Sequence, residues 1–133
     1  MGEVMHVQCG ACKGTWRCAM GNGLAYADKK NIIAAFREKE REQVETLLAK
    51  SGIPVCDFRY GLAVCTHCHN VVSVPALGLS EDDEPYVGLC PVCGRKTRTL
   101  CREEENVEAW SRKTACPVCK SMKLEIVDSS YWD

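Results

Sequence analysis

Eight of the eleven cysteines stand in four C-x-x-C pairs: Cys9/Cys12, Cys65/Cys68, Cys90/Cys93 and Cys116/Cys119. Each pair can form a tight turn whose backbone amides point at the sulfurs. Two such turns face to face offer four thiolates to one ion, which suits the tetrahedral preference of Zn²⁺. Residues 69–89 separate Cys68 from Cys90, close to the spacer expected of a structural zinc site. A Cys₄ set also suits iron, which is the natural substitute. The pattern therefore predicts two Zn²⁺ per chain.

Two ways of pairing the turns compete. In the nested arrangement Cys65, Cys68, Cys90 and Cys93 share one ion, while Cys9, Cys12, Cys116 and Cys119 share the other. In the serial arrangement Cys9/Cys12 meets Cys65/Cys68, and Cys90/Cys93 meets Cys116/Cys119. Residues 69–89 contain hairpin-like runs, Val71–Leu77 and Tyr86–Leu89, whereas residues 94–115 are more polar. That difference favours nesting.

The elements that must position these turns follow from the same reading. Strand-like runs sit at Thr15–Met20, 55–64, Arg95–Leu100 and Met122–Val127, each beside a cysteine pair. Gly21-Asn22-Gly23 is a turn signal. Asp28 suits a helix N-cap. Ile32, Ile33, Phe36, Val44, Leu47 and Leu48 recur at helical spacing, with Glu40 interrupting the stripe, and Gly52 and Pro54 end it. The opposite face (Arg37, Glu38, Lys39, Arg41, Glu42, Glu45) reads as solvated, with Arg41 and Glu45 spaced for an i,i+4 pair.

The expected organisation is an outer zinc ribbon from 1–27 with 111–133, closed by the termini, and a helix over 28–54. An inner zinc ribbon over 55–101 and a short helix or linker over 102–110 complete it. The fold class is small, metal-stabilised α+β: two ribbons of short antiparallel hairpins plus one long amphipathic helix.

Three cysteines stand outside the pairs. Cys18, Cys56 and Cys101 fall in strand-like surroundings and read as small buried hydrophobes. No His–Asp or His–Asn partners make one of them a nucleophile, and no catalytic residue is assigned. His67 lies inside the Cys65–Cys68 turn and His69 just after it; either could ligate metal, but with eight cysteines available they read as exposed loop residues. Arg95, Lys96 and Arg98, with Arg102, form a basic edge that either contacts nucleic-acid phosphates or balances the thiolate clusters and blunts a sheet edge.

The chain has 133 residues and few aromatics, so metals rather than a large core must staple it. Each Zn(Cys)₄ centre adds two negative charges to a formal net charge of −1, which argues against bulk nonspecific nucleic-acid binding. The first residues carry no basic segment followed by an apolar one. A cytoplasmic, reducing compartment is expected, where C-x-x-C pairs hold metal rather than disulfides.

Taken over most of its length, the chain resembles small, functionally uncharacterised zinc-ribbon proteins of anaerobic bacteria. The likeness rests on Cys9-Gly-Ala-Cys12, Cys116-Pro-Val-Cys119, Gly21-x-Gly23-Leu-x-Tyr26, Val64-Cys65-x-x-Cys68 and Tyr131-Trp132-Asp133. It implies cytoplasmic zinc binding. Asp83-Glu84 ahead of Cys90 is similar to the ribbon tip of transcript-cleavage elongation factors, which implies an acidic pair helping to hold Mg²⁺ in RNA polymerase. The spacing to Cys90 is shorter here, and Glu81-Asp82 precede the pair. The expected function is a structural zinc protein acting as a protein- or nucleic-acid-interaction module. The alternatives are a polymerase accessory factor using Asp83-Glu84, or a sensor in which zinc-bound thiolates oxidise to disulfide and release metal.

Overall fold

The computed structural model describes residues 2–21, 29–50, 57–78, 86–101 and 106–132. Among them are seven strands: β1 (Gly2–Cys9), β2 (Thr15–Gly21), β3 (Asp57–Cys65), β4 (Asn70–Gly78), β5 (Tyr86–Val87), β6 (Arg98–Cys101) and β7 (Leu124–Trp132). Three helices accompany them: α1 (Lys29–Ala35), α2 (Glu38–Lys50) and α3 (Val107–Lys113). Asp28, Gly52, Pro54, Cys56, Asp83, Glu84 and Arg102 lie outside the described residues, as do Asn22 and Gly23.

Both long hairpins are antiparallel, and a cysteine turn closes each. β1 pairs with β2 from Gly2↔Gly21 to Gln8↔Thr15, and the chain reverses through Cys9–Cys12. β3 pairs with β4 from Asp57↔Gly78 to Cys65↔Asn70 and reverses through Cys65–Cys68. The remaining two turns each launch a strand that returns to its hairpin. After Cys116–Cys119, β7 runs along β1 from Cys9↔Leu124 to Gly2↔Trp132. After Cys90–Cys93, β6 lies beside β3 at Leu62↔Cys101 and Val64↔Arg98. The same device, a hairpin plus a returning third strand, is thus built twice.

Among the described residues a single pairing, Gly21↔Tyr60 between β2 and β3, joins the halves into one sheet of order β5-β4-β3-β2-β1-β7. β3 uses one edge for both neighbours, β2 near Tyr60 and β6 beyond it. Gly61 permits this: a Cβ there would meet the Cys101 carbonyl oxygen at 2.5 Å.

Three apolar clusters hold the layers. Met5, Val7, Met20, Leu62, Val64, Val71 and Leu124 pack under α3 through Val107 and Trp110. Trp110 Nε1 also donates to the Thr99 carbonyl, tying α3 to β6. Ile32, Phe36, Val44 and Leu48 of the α1–α2 segment pack on Phe58 and Leu77. Phe36 meets Phe58 edge-on, ring centroids 6.3 Å apart, and Tyr86 at 5.6 Å. The third cluster joins Ala63, Val72 and Val74 to the buried Cys65 and Cys90.

The expected single long helix is corrected by this structure, in which sheet dominates. The segment breaks after Ala35 and restarts at Glu38. Glu40 is the physical reason. Its Oε2 accepts from the Arg37 backbone N–H at 3.3 Å, the return half of a capping box in which the third helical residue reaches back to the cap. Arg41 meanwhile donates to the Phe36 and Ala34 carbonyls at the end of α1, satisfying carbonyls that the helix leaves open. What reads as one apolar stripe is two helices meeting at a bend.

Candidate metal centres

All four cysteine turns share one backbone conformation. In three of them the first cysteine's carbonyl accepts from the N–H four residues on: Lys13 to Cys9, Gly94 to Cys90 and Lys120 to Cys116, each at 2.9 Å. The first cysteine's N–H donates to the carbonyl five residues on, in Gly14, Arg95 and Ser121. In the fourth turn that outer pairing is Cys65↔Asn70, the last rung of the β3–β4 ladder. The residue just after the second cysteine is left-handed every time, with φ 64° at Lys13, 58° at His69, 78° at Gly94 and 67° at Lys120.

This geometry turns the sulfurs inward and gathers them in two groups. Cys9, Cys12, Cys116 and Cys119 form the outer group; Cys65, Cys68, Cys90 and Cys93 form the inner one. Within each, the four sulfurs lie within 4.8 Å of one another, and each group could hold a metal ion. Between turns the sulfurs approach closely: Cys9–Cys119 3.5 Å, Cys12–Cys116 3.8 Å, Cys65–Cys93 3.4 Å and Cys68–Cys90 3.7 Å. A tetrahedron with Zn–S of ~2.3 Å has S···S edges of ~3.8 Å, whereas a disulfide would need ~2.0 Å. The donor sets fit a tetrahedral thiophilic ion.

Polar groups beside the sulfurs sort their protons. The Ser121 hydroxyl, 3.3 Å from Cys9 Sγ and 3.2 Å from Cys119 Sγ, leads the groups that bring Cys9 down to about 6. It also lowers Cys119, with help from the Ser121 N–H. Burial works against the Cys65 thiolate, but the Cys68 N–H and the Cys93 and Cys68 thiols outweigh it and bring it to about 7. Their neighbours move the other way. At Cys12 the Gly14 N–H favours the thiolate, yet desolvation and the surrounding sulfurs carry it up to about 11. Desolvation pushes Cys68 up to about 12 against the pull of the Asn70 amide. At Cys93 the Arg95 N–H favours the thiolate, but desolvation and the Cys65 and Cys90 sulfurs hold it high. Four sulfurs this close cannot all ionise unless a cation joins them.

The two groups differ in cover. In the outer group Cys12 and Cys119 are exposed while Cys9 and Cys116 are buried; in the inner group none is exposed. The inner Cys90–Cys93 turn is gripped from the helix bend: Arg37 Nη1 donates to the Pro91 and Cys90 carbonyls at 3.0 and 3.3 Å, and Lys39 Nζ to the Gly94 carbonyl at 3.3 Å. Part of the charged face that reads as solvated therefore holds a cysteine turn. Glu40 is only 5 % exposed. It accepts from Tyr86 Oη at 3.0 Å and the Leu89 N–H at 3.2 Å, fixing the strand that leads into Cys90.

Of the remaining sequence candidates, Cys18 and Cys101 are buried. Cys18 donates to the Val71 carbonyl, and burial pushes its thiol up to about 12, so it is a poor nucleophile. His67 is exposed, and His69 places Nδ1 3.0 Å from the Pro117 carbonyl rather than at a sulfur cluster. Arg95, Lys96 and Arg98 are exposed. Sequence reasoning missed Asn70, Ser121 and Trp16. Asn70 and Ser121 share a signal, since each stands two residues past a second cysteine.

In comparison with known proteins, no family model matches the chain, and no curated protein or solved structure matches it. What stands of the resemblance to zinc-ribbon proteins is the pair of four-cysteine groups. Among the described residues no helix is long and apolar enough to cross a membrane.

Proposed function

We propose that this chain is a structural zinc protein with two Zn(Cys)₄ centres, Cys9/Cys12/Cys116/Cys119 and Cys65/Cys68/Cys90/Cys93. The observation that carries this is the set of sulfur separations, 3.4–3.8 Å across each pair of turns, close to the edge of a zinc tetrahedron. Bound Zn²⁺ supplies the positive charge that lets four thiolates coexist, and iron is its substitute. The protein's own part is to hold each turn rigid through the paired backbone bonds and left-handed residue. The outer centre pins β7 against β1, and the inner one pins β6 against β3. Elemental analysis of protein purified without added metal tests the reading. Zinc plus iron should approach two equivalents per chain, and one or none contradicts it.

The centres serve an interaction module in the cytoplasm, where a reducing milieu keeps the thiols available for metal. Val92 and Val118, at matching places in the two C-P-V-C turns, are 63 % and 54 % exposed, and Met122, shortly after Cys119, is 54 % exposed. Apolar side chains on turns held by metal support a partner protein over a nucleic acid, whose phosphates would instead seek the exposed Arg95, Lys96 and Arg98. Affinity capture with the native chain, with and without nuclease, separates the two. Nuclease-resistant capture abolished by Val92→Asp with Val118→Asp supports a protein partner, and nuclease-sensitive capture contradicts it.

A further inference from the structure

We propose that the two centres are coupled, with Asn70 and His69 as the positioning residues that make the inner centre's grip depend on the outer one. The inference rests on the two-zinc reading above. Asn70 follows the Cys65–Cys68 turn and opens β4. Its Nδ2 donates to Cys68 Sγ at 3.4 Å and to the Cys68 carbonyl at 3.3 Å. An N–H aimed at a ligating sulfur stabilises the thiolate and orients it, and such outer partners typically change metal affinity by about 10–100-fold.

The Asn70 amide does not choose that orientation alone. Its Oδ1 accepts from Trp16 Nε1 at 3.2 Å, which fixes which end of the amide faces Cys68. Trp16 belongs to β2, just past the Cys9–Cys12 turn of the outer centre. Its indole rim lies against that turn: a Cβ on Gly14 would meet Trp16 Cη2 at 3.1 Å and Cys12 Sγ at 3.4 Å. One side chain thus reaches from beside an outer sulfur to the amide that serves an inner one.

A second bridge runs in parallel. His69, left-handed at φ 58°, directs Nδ1 at the Pro117 carbonyl within the Cys116–Cys119 turn, 3.0 Å away. A carbonyl only accepts, so Nδ1 carries the hydrogen in this bond. The Asn70 and His69 side chains are therefore both held from beside the outer centre, Asn70 by Trp16 next to the Cys9–Cys12 turn and His69 by Pro117 within the Cys116–Cys119 turn. When the outer ion orders those turns, the cost of placing Asn70 and His69 is already met, and the inner ion binds more tightly. By linkage the inner ion returns the same factor to the outer.

A double-mutant cycle on the full chain tests this after metal counting has established two zinc ions in the parent. A count below two there would sink the zinc reading rather than the coupling. The inner centre's zinc affinity is measured by competition with a chromogenic chelator, with the outer centre intact and with it removed by Cys116→Ser and Cys119→Ser. Removal should weaken the inner centre about 10-fold. In a Trp16→Phe, His69→Ala background the same removal should change it little. Equal inner affinity with and without the outer centre overturns the coupling, and an equal loss in both backgrounds overturns the assigned bridges. Should the outer-less chain not fold, the intact zinc-loaded chain supplies a second readout. Asn70→Ala and Trp16→Phe should each speed alkylation of Cys68 by about 10-fold relative to the parent, and an unchanged Cys68 rate overturns the proposal.

Discussion

Glu40 shows how much one side chain can carry in a small chain. Its carboxylate accepts from Arg37, Tyr86 and Leu89 and so sets the helix bend, the approach of β5 and the entry to Cys90. Hydrogen bonds to a charged group contribute about 1.5–3 kcal/mol, and buried donors left unpaired cost about as much. Glu40→Ala should therefore lower stability by about 3 kcal/mol, read as a drop in the urea midpoint of the zinc-loaded protein. A change within error would mean that water replaces the carboxylate. Burial and then the Glu40 carboxylate push the Tyr86 phenol up to about 12 from an ordinary value of 10.0. A folded value above the unfolded one means that stability present below about pH 10 is lost as pH rises from about 10 to about 12. Urea midpoints across that window should fall for the parent and fall less for Tyr86→Phe, and parallel curves would contradict the assignment. In the sequence Glu40 was visible only as a fault in an apolar stripe. Its partners lie 46 and 49 residues away, a distance over which periodicity says nothing.

The cysteine turns are the elements on which the fold depends, and their existence was legible because C-x-x-C is a local pattern. Their shared left-handed residue was not, because only Gly94 among the four advertises it; Lys13, His69 and Lys120 do not. An L-residue with a side chain costs about 1–2 kcal/mol in that conformation, whereas glycine adopts it freely. Lys13→Gly and Lys120→Gly should each stabilise the zinc-loaded protein by about 1 kcal/mol, seen as a raised denaturation midpoint, and a loss would mean that the lysine side chains hold the turns. The strands from Thr15, around residue 60, through Val71–Leu77 and up to Val127 were readable from their β-branched and aromatic content. β1 was overlooked because Glu3, His6 and Gln8 dilute its alternation, although Met5, Val7 and Cys9 fall on one buried face. The helix reading failed at one point, where Phe36 continues the apolar spacing while Arg37 caps a new start.

At the scale of the molecule, each half repeats a hairpin with a returning third strand, and among the described residues one strand pairing, Gly21↔Tyr60, carries the sheet from one half to the other. The nested grouping of the sulfurs could be argued from the strand content between the turns. The junction could not, because it pairs two residues on either side of the helical segment by backbone bonds that any residue could make. β6 and β7 each leave a cysteine turn before they pair with their hairpins. Metal and fold should therefore be linked, and strong chelation under reducing conditions should abolish the cooperative thermal transition; a sharp transition without metal would mean that the apolar clusters suffice alone. The central claim is the grouping of the eight cysteines into two zinc centres. Alkylation mapping with metal counting of the Cys116→Ser, Cys119→Ser chain tests it most directly. One metal fewer is expected, with Cys9 and Cys12 becoming reactive while Cys65, Cys68, Cys90 and Cys93 keep their ion and react far more slowly than Cys9 and Cys12. Reactivity appearing at Cys90 and Cys93 instead would contradict it.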